Sequence, residues 1–463
     1  AYQNSGLYYY QSNECLTGAS EPDGDRVAYG TALSKEEMKL QSSFAEFDFD
    51  TVWTMGGNDQ YPYPELRGMA LDIAENTEEF SGGNGLPYDP HQVATLEQLD
   101  NIRNYLGSSF VLLNDIDLTE AVEEDGIFYN DGEGFKPIGN GEDVFCGNLD
   151  GSGYNITGLR VVCTYDLYAT DYAGLFGYCV NATINNLGII DAYLSGDLAG
   201  GIMACGSNNI ISDCNVSGQV TTLYESGKIG GITGRTWSGR IQNCYNNAEV
   251  FGVGNIAAGG IVGYSYSTEI DSCYNTGSIS ASYYYAYYVS GIVGYSTGNI
   301  TNCFNTGNIS NSKNQYEAGI VSYNQGVVSN CYNIGTAQNP IGTASFNYGS
   351  FSNCYYLQTD SSLFDDGLEG TFEETYLEML IMDTYAGFDF NSIWEIEEGR
   401  FPVLQDVHFE YLTGLSIEDA STCTSIVLVF LSALFTGLDL YDALAKYAGA
   451  GTIVPITGFA NAI

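Results

Sequence analysis

Three observations predict an all-β protein, a parallel β-solenoid with coils of about 29 residues. The first is a repeated phrase, Gly-Gly-Ile-x-Gly followed by Ile-x-x-Cys-x-Asn-x-Gly-x-Ile, complete at Gly259 to Gly263 with Ile270 to Ile279. The second is its period. Gly174, Gly201, Gly231, Gly260, Gly291 and Gly319 keep a nearly constant step, and Cys214, Cys244, Cys273, Cys303 and Cys331 keep the same one in a second register. A fixed step of this size marks stacked units, each burying its apolar side only against its neighbours. The third is parity: Cys273, Asn275, Gly277 and Ile279 alternate with other residues at period two, which is the strand period. Glycine and asparagine inside every unit disfavour a helical repeat. The 57 glycines and 38 tyrosines suit short strands, tight turns and aromatic faces. The handedness of parallel crossovers makes the expected winding right-handed.

Taken in order, residues 1–70 read as the terminal cap of a preceding repeat array. They match the second cap, 361–408, in Phe47-Asp48-Phe49-Asp50 with Trp53 against Phe388-Asp389-Phe390-Asn391 with Trp394. Since the second copy follows the solenoid, the first is expected to end an earlier array. Residues 71–165 form a lead-in segment. Leu96, Leu99 and Ile102 at helical spacing predict a short helix over 96–103, followed by one strand over 110–118. The solenoid proper spans 166–360, and an apolar tail, expected to be helical, occupies 409–463. Ala420 to Leu438 carries no charge. Its length is near that of a membrane span, roughly 20 residues, although its first positions are polar. A weak anchor, a buried helix and a foreign sequence joined to the repeats all stay open.

In-register coils would stack each repeated side chain on its own counterpart. Asn246, Asn275, Asn305 and Asn333 would then form a ladder that satisfies turn backbone groups, and Cys214, Cys244, Cys273, Cys303 and Cys331 would line the core. Strands about 4.8 Å apart place such cysteines within disulfide reach, so buried thiols and disulfides are both compatible with the spacing. No Cys-x-x-Cys pair is present, which argues against zinc.

Charge narrows the function further. With 57 acids against 13 bases the formal net charge is −44, which excludes a nucleic-acid backbone binder. No cofactor is expected, and calcium is the cation such a surface would attract. Only His91 and His408 are present, too few and too isolated for a nucleophile triad. Asp115 and Asp117 share a strand face, but a solvated edge looks the same. The tyrosine run Tyr283, Tyr284, Tyr285, Tyr287 and Tyr288 falls in the variable stretch between two units, where insertions emerge on one face. Exposed aromatics there would stack on sugars or bury in a partner protein.

Several runs carry a resemblance: the strand Asn114-Asp115-Ile116-Asp117-Leu118, the turn Phe145-x-Gly147-x-Leu149-Asp150-Gly151-x-Gly153, Ala173-Gly174-Leu175-Phe176-Gly177-Tyr178, and the Gly-Ile-Val-Gly-Tyr and Cys-Tyr-Asn-Thr-Gly units. Over residues 1–408 the chain resembles the GLUG-repeat proteins of bacterial surfaces. That resemblance implies a β-solenoid exported by a Firmicutes-like bacterium. Some immunoglobulin-cleaving zinc proteases carry similar repeats, but this chain lacks their His-Glu-x-x-His. The tail, with Gly449-Ala450-Gly451-Thr452 and Pro455-Ile456-Thr457-Gly458-Phe459-Ala460-Asn461, is similar to a fragment of the stage V sporulation protein AC family of spore membrane proteins.

The expected function is therefore noncatalytic: an extracellular or cell-surface adhesin, or a subunit of a fibrous appendage. Its partners would be a host or cell-surface glycan or protein, or copies of itself in a filament. Membrane contact would come only through the tail. A carbohydrate-active β-helix enzyme is the alternative.

Overall fold

The computed structural model describes residues 79–163, 171–222, 227–254, 256–282, 288–311, 317–336, 343–357 and 368–405, together with short stretches between 8 and 66. The chain divides into two units, Ala1–Asn76 and Thr77–Ile463.

The second unit is a parallel β-solenoid. One coil runs through Ala257–Gly259, then Val262–Tyr266 and Glu269–Asp271, then Tyr274–Asn275 and Ile279–Ala281. These segments belong to three sheets, of 6, 15 and 14 described strands, called here the glycine, isoleucine and asparagine sheets. On the isoleucine sheet, one register column passes through His91, Phe110, Leu149, Ile184, Ile211, Ile241, Ile270, Ile300, Val328 and Phe351. Every member is buried. From Phe110 onward the sequence step along this column is uneven, longest between Phe110 and Leu149 and shortest between Val328 and Phe351. Uneven coils nevertheless keep one register, because the extra length lies outside the strands and only the paired residues must meet.

The lead-in segment takes part in this sheet. A helix, α1, spans Leu96–Asn101 and is capped by Thr95, whose hydroxyl accepts from the Gln98 amide, the usual satisfaction of a free first-turn donor. A single 3-10 turn, Ile102–Asn104, completes the expected helical stretch. The expected continuous strand over 110–118 is instead two, Ser109–Leu112 and Ile116–Asp117, in different sheets. A coil corner intervenes at residues 113–115, where the Asn114 side chain donates to the Ala94 carbonyl at 3.1 Å; Asn114 and Asp115 are turn formers rather than strand formers.

The corner between the isoleucine and asparagine sheets is a single residue in the left-handed region. Asn186, Asp213, Asn243, Ser272, Asn302, Asn330 and Asn353 occupy it with φ between 51 and 55°. Asparagine and aspartate tolerate that conformation better than most residues. The next residue is Leu187 or one of the cysteines, turned into the core.

After Cys354–Leu357 the strand Thr371–Glu374 extends the asparagine sheet, and the chain returns through two 3-10 turns to an antiparallel pair, Trp394–Glu395 with Val403–Leu404. This closure lies against stacked rings on the outer side of the asparagine sheet. Tyr245, Tyr274, Phe304 and Tyr332 stack with centroids 4.9, 4.8 and 5.1 Å apart. Trp394 packs on Phe304 and Tyr332 and is wholly buried. The Tyr332 hydroxyl donates to the Pro402 carbonyl and the Tyr355 hydroxyl to that of Ala386.

In the first unit, Tyr8–Tyr10 pairs in parallel with Thr31–Leu33, and Trp53–Met55 pairs antiparallel with Pro64–Leu66. Trp53 faces Leu66 as Trp394 faces Leu404, and Phe47 stacks on Trp53 at 4.3 Å as Phe388 does on Trp394 at 4.6 Å. The duplicated sequence thus has the same local fold. The apolar tail expected to be helical, 409–463, falls outside the described residues. No helix among the described residues is long and apolar enough to cross a membrane.

Candidate functional site: internal ladders and an outer aromatic column

Asn246, Asn275 and Asn305 each donate from Nδ2 to Oδ1 of the next asparagine, Asn275, Asn305 and Asn333, at 2.8 Å. The same amides donate to the carbonyl two residues on, at Ala248, Gly277 and Gly307, and the amides of Ala248, Gly307 and Gly335 return a bond to Oδ1. The buried side-chain amides of the ladder are thereby partnered, so their burial leaves no unmet polar group. A shorter row of the same kind joins Asn324 to Asn347 at 3.0 Å.

The cysteines form a second ladder. Cys214, Cys244, Cys273, Cys303, Cys331 and Cys354 are buried, free thiols. Each points its thiol at the carbonyl two residues back, across the left-handed corner, at 3.0 to 3.4 Å. Burial drives the thiols of Cys214, Cys244, Cys273, Cys303 and Cys331 well above the usual cysteine range. Since the thiolate is the reactive species, an alkylating reagent is expected to label exposed Cys146 in the native protein and to reach the ladder only on unfolding. Mass spectrometry of native protein showing Cys273 modified as fast as Cys146 would contradict this.

Tyr283, Tyr284, Tyr285 and Tyr287 lie outside the described residues. Tyr288 opens the strand Tyr288–Ser290 and stands edge-on to Tyr295 and Tyr323, 5.6 and 5.5 Å away. Those two rings belong to an arrangement that sequence reasoning missed. Along the isoleucine sheet, Tyr178, Cys205, Arg235, Tyr264, Tyr295, Tyr323 and Phe346 are register partners in one column. Tyr264 and Tyr295 stack at 4.3 Å and Tyr295 and Tyr323 at 4.6 Å. All three are half-exposed. Burial and the neighbouring Tyr264 push the Tyr295 hydroxyl above the ordinary phenol range. The faces of these rings cover one another, so the column presents edges and hydroxyls. The available signal was the tyrosine that follows Gly-Ile-Val-Gly at Tyr264 and Tyr295 and Gly-Ile-Val-Ser at Tyr323.

The carboxylates Asp115 and Asp117 are engaged with backbone: Asp115 accepts from the Asn155 amide and Asp117 from the Thr119 amide, at 2.8 and 2.9 Å. Hydrogen bonds from Thr119 hold Asp117 below the usual carboxylate range, the opposite of a poised general acid. Among the described residues no group of three or more His, Cys, Asp and Glu side chains is placed to hold a metal ion.

His408 is outside the described residues, and His91 is stacked on Phe80 at 4.2 Å, edge-on to Tyr105 and beside Phe110. Burial lowers its pKa against the opposing influence of the Gly83 backbone, Asp89 and Glu79. A histidine held neutral by the fold binds fewer protons folded than unfolded. Its contribution is therefore intact above the unfolded value of about 6.5 and lost as pH falls below it. Wild type is expected to lose thermal stability between about pH 7.5 and pH 5.5 more steeply than His91→Phe. Parallel melting curves for the two would contradict this.

The sequence carries the GLUG motif at residues 254–280, and residues 402–463 match the SpoVAC/SpoVAEB sporulation membrane protein family. Halomucin of Haloquadratum walsbyi is 33% identical over 161 residues, 33% of this chain and 2% of halomucin. A protein of Evansella cellulosilytica assigned as a Gly-rich membrane protein is 35% identical over 146 residues, 30% of this chain and 16% of that one. The tail is 48% identical over 44 residues to stage V sporulation protein AC of Bacillus subtilis, 10% of this chain and 29% of the other. The chain thus spans only a small part of each of these relatives. Among solved structures, a chain from Bacteroides ovatus assigned as an immunoglobulin A1 protease aligns over 71% of this chain and 96% of its own length, with a TM-score of 0.48 and 21% identity.

Proposed function

We propose that the protein is a noncatalytic repeat protein of the extracellular surface, an adhesin or a subunit of a fibrous appendage. The observation that carries this reading is the unbroken register column from His91 to Phe351. The ladder thiols point at carbonyls, the ladder asparagine amides at each other, and Asp115 and Asp117 accept from backbone amides, which supports a structural role for these residues. Facing solvent is a half-exposed row of aromatic side chains, Tyr264, Tyr295 and Tyr323, on a chain of strongly acidic composition. Likeness to halomucin and to a Gly-rich membrane protein supports a place at the cell surface, and the sporulation-protein match supports membrane contact through the tail.

The partner in this reading is a host or cell-surface glycan or protein, or further copies of the chain. The test applies purified protein to cells and to a panel of acidic glycans. Binding without release of reducing sugar or unsaturated product, and weakened when Tyr283, Tyr284, Tyr285, Tyr287 and Tyr288 are replaced together by serine, is the expected result. Catalytic release of product would make the protein a polysaccharide lyase or hydrolase instead.

A further inference from the structure

Arg235 differs from the ion-paired arginines of the solenoid, and also from Arg160, which lies over the Tyr193 ring but donates to the Gly132 carbonyl. Arg240 pairs with Glu269 one coil on, at 2.6 Å, and Arg103 with Asp100. Arg235 makes no ion pair among the described residues, and its Nε is buried without a hydrogen-bond partner. Its guanidinium lies 4.0 Å from the centroid of the Trp237 ring and 5.4 Å from that of Tyr264, so two aromatic rings hold the cation in place. Asp197 feels Arg235 through space but feels Lys228 more strongly, and Asp171 acts on it as well. Arg235 thus keeps an unused hydrogen-bonding fork, in a chain of net charge −44.

Arg235 also heads the column of Tyr264, Tyr295 and Tyr323. Their rings repeat every 4.3 to 4.6 Å, about the length of one pyranose residue in a glycan chain, and each presents an edge and a hydroxyl. We propose that Arg235, held on Trp237, anchors the carboxylate of a terminal acidic sugar, and that the neutral sugars behind it run along the solenoid over the hydroxyls of Tyr264, Tyr295 and Tyr323. A guanidinium suits a carboxylate because its planar fork donates two parallel hydrogen bonds. The chain's net charge of −44 selects against a glycan charged at every residue and tolerates one charged only at its end. This rests on the adhesive reading above and names the ligand class that it leaves open.

Calorimetric titration of the full chain tests it with two probes: a trisaccharide of one glucuronic acid on two glucoses, and the same trisaccharide with the carboxyl reduced to the alcohol. Wild type is expected to prefer the acid roughly tenfold or more, the size of one charge-assisted hydrogen bond. Arg235→Gln should bind both probes equally, Arg235→Lys should keep only part of the preference, and Tyr295→Phe should weaken both probes while leaving their ratio unchanged. Circular dichroism checks that each variant is folded, and Arg235→Lys decides the matter if Arg235→Gln is not. Wild type without preference, or Arg235→Gln retaining it, overturns this site but leaves surface adhesion standing. Product release from glycans overturns the adhesive reading itself.

Discussion

Gly291→Ala is expected to prevent the solenoid from folding, or to cost more than about 4 kcal/mol if it folds. A Cβ built on Gly291 would sit 2.3 Å from Cγ of Asn305 and 2.3 Å from the Gly319 carbonyl oxygen. Neither can retreat: the oxygen is backbone of the next coil, and Asn305 is held by its ladder. The same contact recurs at Gly260 against Asn275 and at Gly231 against Asn246. The two halves of the repeated phrase, Gly-Gly-Ile and Cys-x-Asn, are thus one contact, in which the missing side chain makes room for the asparagine of the same coil. Urea denaturation measures the cost. Gly107→Ala is the control, since its Cβ would meet only the Cys146 sulfur, at 3.8 Å, and should change stability by less than about 0.5 kcal/mol. If Gly291→Ala were as mild as Gly107→Ala, Gly291 would not be packed against Asn305 and the Gly319 carbonyl.

The second large effect is expected at Asn305. Its side chain donates to Asn333 Oδ1 and the Gly307 carbonyl and accepts from Asn275 Nδ2 and the Gly307 amide, at 2.8, 2.9, 2.8 and 3.2 Å. Asn305→Ala removes all four bonds in a fully buried site, and at about 1 kcal/mol each the loss is about 4 kcal/mol. Asn305→Asp should be no better, because it trades two donors for a buried charge. Once Asn305 is gone, Asn333→Ala should cost less than it does in wild type, since the rung between them is already broken. Simple additivity in that double-mutant cycle, from urea titrations, would show that the rungs act independently.

Much of this was legible in the repeat. Its period, the alternation within each unit and the stacking of like residues follow from one phrase recurring at nearly constant spacing, because only residues that meet their own counterparts can satisfy a buried amide or fill the same gap every coil. The short helix at Leu96–Asn101 and the kinship of the two caps were also legible. Less so were the corners. Asn302, Asn330 and Asn353 precede cysteines without any local pattern that separates a left-handed corner from a strand residue, whereas the break at residues 113–115 does carry a turn signal in Asn114 and Asp115, outweighed by the apolar residues on either side.

The repeating phrase by itself determined the solenoid and its internal ladders, because those depend on contacts between identical positions one period apart. It could not say which aromatic row faces solvent. Tyr274, Phe304 and Tyr332 recur as regularly as Tyr264, Tyr295 and Tyr323, yet the first row is buried under a closure that reaches Tyr332 from Pro402, 70 residues away, and the second stays half-exposed with Arg235 at its head. That difference is set by where a distant, non-repeating segment comes to rest, and only the tertiary fold places it.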